Sequence, residues 1–138
     1  MLSAADLEAN VLQFRQRSFQ FERLANVDGL EVALFRRTET ESESQFRPRL
    51  VHLWLAIPLA WVVRDEAADL LRVSRDGRPL PMSPDEPVVE IRAEPPEFAE
   101  QGLDWRRTEG PSGALVYAPR ELGARLLSPK GIAGLGIA

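Results

Sequence analysis

Residues 50–63 read Leu-Val-His-Leu-Trp-Leu-Ala-Ile-Pro-Leu-Ala-Trp-Val-Val, and this stretch without a formal charge decides the fold. Every odd position carries a large apolar side chain: Val51, Leu53, Leu55, Ile57, Leu59, Trp61 and Val63. Because successive side chains of a strand point to opposite faces, this period of two predicts buried β-structure. Pro58 would break a helix and costs a strand one ladder hydrogen bond. We therefore expect two strand segments, or one strand bent at Pro58.

Residues 1–29 carry a helical pattern. Ser3 and Asp6 resemble a capping box, in which a hydroxyl caps free amides and an acid lies in the first turn. The apolar residues that follow at helical spacing are Leu7, Val11, Phe14, Phe21 and Leu24. This pattern predicts an amphipathic helix from about Ala4 to Ala25, ended by residues 26–29. The alternation in residues 18–22 leaves open a strand that begins there.

Residues 30–128 are expected to form a β-rich body, because short apolar runs are separated by Pro and Gly turns. The predicted strands are Leu30–Arg37, Leu70–Arg75, Arg78–Met82, Val88–Ala93, Leu103–Thr108 and Ala114–Ala118. Residues 38–44 are expected to be an exposed hairpin connection, and residues 120–127 a short helix or a last strand. The fold class is mainly β: an antiparallel sandwich or barrel-like sheet with one N-terminal amphipathic helix. A two-layer α+β arrangement is the alternative.

Composition bounds the possible functions. With 138 residues, 44% of them hydrophobic, the chain fits a single domain with its own core. It has no cysteine, so disulfides and thiol chemistry are excluded and a cytoplasmic location, or one within a virion or other assembly, is expected. The net charge of −4 argues against a nucleic-acid partner. The uncharged run is shorter than the roughly 20 residues of a membrane span.

Few side chains could carry chemistry. His52 is the only histidine and lies in an apolar strand, where a hydrogen-bonded structural role is commoner than catalysis. Asp65, Glu66 and Asp69 lack the spacing of a calcium loop. Lys130 is the only lysine among 17 basic residues, an arginine bias typical of a GC-rich bacterial or phage genome. We therefore expect no catalytic, cofactor-binding or metal site, and a carboxylate-only hydrolase or isomerase is the least favoured hypothesis.

The segment of residues 129–138 is a glycine-rich apolar tail. Ile132, Leu135 and Ile137 are predicted to bind a partner subunit or a groove of the body, because such a tail needs contacts to offset its backbone entropy. Glycines 131, 134 and 136 would allow close approach or positive φ. A second candidate is the acidic segment 85–104, with a net charge of −6 counted from its seven acids and Arg92, which would favour a basic partner.

Together these features predict a non-enzymatic structural or adaptor subunit of a larger bacterial or phage protein assembly. Protein partners are expected, in a homo-oligomer or a multi-subunit complex. The alternative is a small-ligand-binding or regulatory β module. Its pocket would lie at the mouth of the sheet and be lined by Trp54, Trp61, Trp105 or Tyr117.

Overall fold

The computed structural model describes residues 2–42, 48–75, 78–79, 98–100, 103–110 and 114–137. Strands dominate this part of the chain and the helices are short. The helices are α1 (Ala4–Ala9), α2 (Arg120–Leu126) and α3 (Pro129–Leu135). The strands are β1 (Leu12–Phe14), β2 (Arg17–Val27), β3 (Leu30–Ser42), β4 (Pro48–Pro58), β5 (Val62–Asp65), β6 (Leu70–Arg75), β7 (Arg78–Pro79), β8 (Phe98–Glu100), β9 (Leu103–Glu109) and β10 (Leu115–Pro119). The predicted mainly β class is confirmed.

The strands form one open mixed sheet in the order β5-β6-β1-β2-β3-β4-β10-β9-β8, with β7 added to β6. Most neighbours are antiparallel, but β10 pairs with β4 in parallel and β1 meets β6 in parallel. The prediction of a purely antiparallel sheet is therefore wrong. Parallel neighbours need a long connection, and here much of the chain lies between β4 and β10. Closure into a sandwich or barrel stays a prediction.

The N-terminal helix is far shorter than predicted. The capping box is confirmed, with Ser3 and Asp6 bonded to each other's backbone amides, but α1 ends at Ala9. Arg15 and Gln16 then take positive φ in a two-residue turn between β1 and β2. The expected helix as far as Ala25 is wrong because these residues pair with neighbouring strands, and that pairing overrides helical spacing. Residues 18–22 alternate in burial as a strand does, which was the alternative left open.

The central apolar run confirms its predicted burial. Leu53, Leu55, Ile57 and Leu59 are all buried, and β4 ends at Pro58 as one of two strand segments. A single 3₁₀ turn (Leu59–Trp61) connects β4 to β5 and changes the alternation, so that Val62 rather than Val63 is buried. The odd-position stripe therefore ends at Leu59.

The sheet separates two apolar clusters. The front face holds Phe35, Leu55 and Tyr117 and is covered in part by Leu7 of α1. On this face the rings of Phe14 in β1 and Trp105 in β9 lie 4.7 Å apart between centroids. Because β1 and β9 are not neighbours in the sheet, it must curve around the front face. The back face carries the second cluster, to which both the strands and the helices α2 and α3 contribute. Its members include Val27, Val32, Leu34, Ala56 and Val116 from the strands and Leu122, Leu126 and Leu135 from the helices.

Other predicted elements have mixed outcomes. Strand β6 pairs antiparallel with β7 and β9 pairs antiparallel with β10, and residues 120–127 begin with a helix rather than a last strand. Residues 38–42 continue β3 instead of forming an exposed connection, because each pairs with a residue of β4. The predicted strand Val88–Ala93 and most of the acidic segment lie outside the described residues.

Candidate interaction surface

Strands β3 and β4 extend beyond their neighbours as a two-stranded ribbon. They pair from Val32–Pro58 to Ser42–Pro48, whereas β2 follows β3 only as far as Arg36. On the other side, β10 follows β4 only along residues 53–55. Among the described residues, positions 38–42 of β3 and 48–52 of β4 therefore pair only with each other. We call these two stretches the ribbon.

In the part of the chain that the structure describes, no element covers the back face of the ribbon. The back-face alternation places Thr38, Thr40, Leu50 and His52 on it, and all four are exposed. Leu50 has 70% of its surface exposed, more than any other large apolar residue described. The helices α2 and α3 cover the back face only further along the sheet, over the second cluster.

Three side chains, Trp54, Arg36 and Glu22, lie where the helix-covered part of the back face meets the ribbon. Trp54 is half-buried, and the guanidinium of Arg36 lies over its ring at 5.7 Å from the centroid. Glu22 holds Arg36 through a 2.9 Å ion pair. A cation over an indole stabilises by about 0.5–1 kcal/mol at exposed sites. Trp54 is thus oriented by Arg36 next to the exposed residues of the ribbon.

His52 lies on the exposed back face of the ribbon. Its Nδ1 is 3.0 Å from Thr38 Oγ1, across the β3–β4 pair. The predicted hydrogen bond of His52 is present. The predicted apolar surroundings are not, because the side chain of His52 is exposed. The alternation of β4 explains this difference, because even positions near the start of the strand lie beyond the helices that cover the back face.

The front face of the ribbon is bridged to β2 by side chains. Glu39 accepts a 2.8 Å hydrogen bond from Arg37 Nε and lies 3.4 Å from Arg17. Arg37 also donates to the carbonyl oxygen of Ser18 at 3.3 Å. The strands separate here, and charged side chains replace the backbone ladder. Charges beside a free strand edge discourage unwanted pairing there.

The C-terminal segment packs on the body of its own chain. Leu135 and Ile137 are buried in the back-face cluster, and the side chain of Ile132 lies outside the described residues. Ser128 caps α3 by accepting from the amide of Gly131 at 3.0 Å. The sequence predicted that this segment binds either a partner subunit or a groove of the body. The described contacts of Leu135 and Ile137 are with the body, and their binding to a partner stays a prediction.

Both predicted roles of the glycines in this segment occur. A Cβ at Gly134 would lie 2.6 Å from the carbonyl oxygen of Asn26 in β2, and one at Gly131 would overlap the carbonyl oxygen of Arg125 in α2. Gly136 has a φ of 62° and ends α3 in the left-handed conformation. The helix therefore lies against β2 and α2 at distances that only glycine permits.

The aromatic residues of the ligand-binding hypothesis do not line one pocket. Trp105 and Tyr117 are buried in the front-face cluster, and Trp61 packs against it. Trp54 lies with the back-face cluster, on the other side of the sheet. A site built from all four is therefore excluded by their placement.

Two of the three carboxylates singled out in the sequence, Asp65 and Asp69, form ion pairs. Asp65 accepts a 2.8 Å hydrogen bond from Arg72 Nε, and this bond, with a further one from the amide of Ala68, lowers the pKa of Asp65. Asp69 lies 3.0 Å from Arg64. These ion pairs connect the strands and the turn of the β5–β6 hairpin.

Asp6 has a lowered pKa because it accepts hydrogen bonds from the hydroxyl and the amide of Ser3 in the capping box.

Within the described residues, no group of three or more His, Asp or Glu side chains could hold a metal ion. None of the described helices is long and apolar enough to cross a membrane. Comparison with known proteins yields no match: neither a family model, nor a curated protein, nor a solved structure resembles the chain.

Proposed function

We propose that the protein is a non-enzymatic structural or adaptor subunit of a larger bacterial or phage protein assembly, and that it docks through the ribbon. The observation that carries this proposal is that, among the described residues, the ribbon extends past both neighbouring strands and its back face is uncovered. Elsewhere, α2 and α3 cover the back-face cluster. An exposed leucine beside an oriented tryptophan is the kind of apolar anchor that protein interfaces use.

The small size of this surface bears on its role. Thr38, Thr40 and His52 surround Leu50 with polar groups, as a polar rim surrounds an interface anchor. Specific interfaces bury about 800 Å² on each partner, more than a ribbon of this length offers alone. We infer that the ribbon is one contact among several, as expected of a subunit held by multiple neighbours.

Mass measurement in solution tests the proposal. Native mass spectrometry of the protein purified at its natural abundance should find it in a complex of fixed stoichiometry. Thr40→Lys, on the ribbon, should weaken that complex because it places an unpaired charge in the interface. Ala124→Lys is the matched control, since Ala124 is exposed on α2, away from the ribbon.

A monomer at every concentration would overturn the proposal. So would a complex that Thr40→Lys and Ala124→Lys weaken equally, because the ribbon would then not be the contact. A monomer whose melting temperature rises with a small molecule would favour the alternative, a small-ligand-binding or regulatory β module.

A further inference from the structure

Within the described parts of the chain, the start of β4 has a free edge. Its residues 48–52 pair with β3 on one side. On the other side, the β9–β10 hairpin is closed by a 2.7 Å hydrogen bond from the amide of Gly110 to the carbonyl oxygen of Ala114. Since Leu115 is aligned with Leu53, β10 begins level with that residue. Among the described residues, no strand covers the edge between Pro48 and His52, and such an edge offers backbone groups to an added strand.

An added strand at this edge would cover an apolar residue. Leu50 lies at the centre of the free stretch and is 70% exposed. Exposed Leu127, at 60%, is the nearest comparison, but it lies at the end of α2, where no strand edge is available. Leu50 thus lies at a free backbone edge and has the highest exposed fraction among the large apolar side chains described.

The charge pattern of the edge indicates which strand fits it. If the edge pairs antiparallel with its own copy, centred on Leu50, then Leu50 faces Leu50 and Arg49 faces Val51. No like charges meet. The free edge of β3 fails the same test, because centring it on Thr40 places Glu39 opposite Glu41 of the second copy, and like charges directly opposite are destabilising.

We propose that the occupant of this edge is a second copy of the chain, in a twofold dimer that pairs the two β4 strands antiparallel at residues 48–52. Leu50 of each copy then lies at the symmetry axis. A twofold interface requires such self-complementarity: where one residue of the first copy meets a second residue of the other copy, the reverse contact is also made. The proposal rests on the proposed function for its biological role, since it names one partner of the ribbon. Because the paired stretch is short, the dimer is weak and dissociates on dilution.

Disulfide trapping tests the axis directly. The chain has no cysteine, so Leu50→Cys introduces the only thiol. Residues directly opposite in an antiparallel pair have Cα atoms about 4.5–5.5 Å apart, within the range that a disulfide spans. Under mild oxidation, Leu50→Cys should form a disulfide dimer several times faster than Leu127→Cys, the control of similar exposure. Equal rates of dimer formation would overturn the proposal.

A second measurement avoids the introduced thiol. Sedimentation of the wild-type chain over a concentration series should show a reversible rise in mass toward the dimer, which Leu50→Lys abolishes and Leu127→Lys retains. Both side chains are exposed, so circular dichroism should be unchanged in each. A wild-type mass that stays monomeric at the highest concentration would overturn the dimer.

The two proposals fail separately. A larger complex that contains the chain but gives no disulfide at position 50 would overturn the dimer and leave the adaptor role standing. A disulfide at position 50 in a chain that joins no larger complex would support the dimer and overturn the adaptor role.

Discussion

Replacing Gly134 by alanine should destabilise the protein, although the same change in an isolated helix would stabilise it by about 1 kcal/mol. In the structure, the new Cβ would lie 2.6 Å from the carbonyl oxygen of Asn26, and an ordinary contact begins near 3.4 Å. Asn26 is fixed by its pairing with Glu31 in β3. We therefore expect α3 to move away from β2 by about 0.8 Å, the difference between these two distances.

The displacement of α3 determines how much free energy of unfolding Gly134→Ala should cost. A gap of about 0.5–1 Å forfeits a quarter to a half of the contact energy of the groups it separates. Leu135 and Ile137, which are buried in the back-face cluster, contribute about 1.5–3 kcal/mol each. The expected packing loss is about 1–3 kcal/mol, so that the net effect is a loss of about 1 kcal/mol once helix propensity is included.

Urea unfolding followed by circular dichroism measures this effect. Ala133→Gly, at an exposed position of the same helix, is the control for helix propensity and should cost about 1 kcal/mol. Gly29→Ala is the control for backbone strain, since φ is 84° there and no atom lies within 4 Å of the new Cβ. A gain of about 1 kcal/mol for Gly134→Ala would refute the close approach of α3 to β2.

Three further outcomes are expected. Leu55→Ala should cost about 2–5 kcal/mol in urea unfolding, because Leu55 is 1% exposed in the front-face cluster and leaves a cavity; a loss below 1 kcal/mol would contradict that burial. Because the pKa of Asp65 is lowered in the folded state by its bond to Arg72, the stability this bond contributes is present above the ordinary value of 3.8 and is lost as the pH falls through the lowered pKa. Asp65→Asn should therefore reduce the urea midpoint at pH 7 more than at pH 2, whereas the exposed Glu66→Gln should change both little; equal losses at both pH values would contradict the ionic role of Asp65. Truncation after Lys130 should lower the urea midpoint and increase binding of a fluorescent apolar dye, because it uncovers the back-face cluster, and unchanged dye binding would show that α3 does not cover it.

Some features of the fold follow from local sequence. The period-two stripe from Val51 to Val63 predicted buried β-structure, which is confirmed as far as Leu59, and Pro58 predicted either a strand end or a bend, because alternation and proline geometry act within a few residues. The capping box of Ser3 and Asp6 could be predicted for the same reason. The glycines of the C-terminal segment indicated close approach, but the surface that they approach was not evident from the sequence.

Other features depend on distant contacts. Residues 12–27 have apolar spacing that suits a helix, yet they form β1 and β2 because β3 offers a hydrogen-bonding edge to β2. Parallel pairing of β10 with β4 joins stretches of chain far apart in sequence, which no local pattern encodes. Partner choice of this kind is set by which edges are free once the other strands have paired.

The candidate surface shows the same division. The sequence by itself determined that β4 is apolar along one face and that the chain has one histidine, one lysine and no cysteine, because residue identity and alternation are local properties. The tertiary structure alone decided that Leu50 is exposed while Ala56 is buried, since both belong to the same apolar run and lie on the same face of β4. The physical reason is the unequal length of neighbouring elements: β2, β10, α2 and α3 cover one part of the sheet and end before the ribbon.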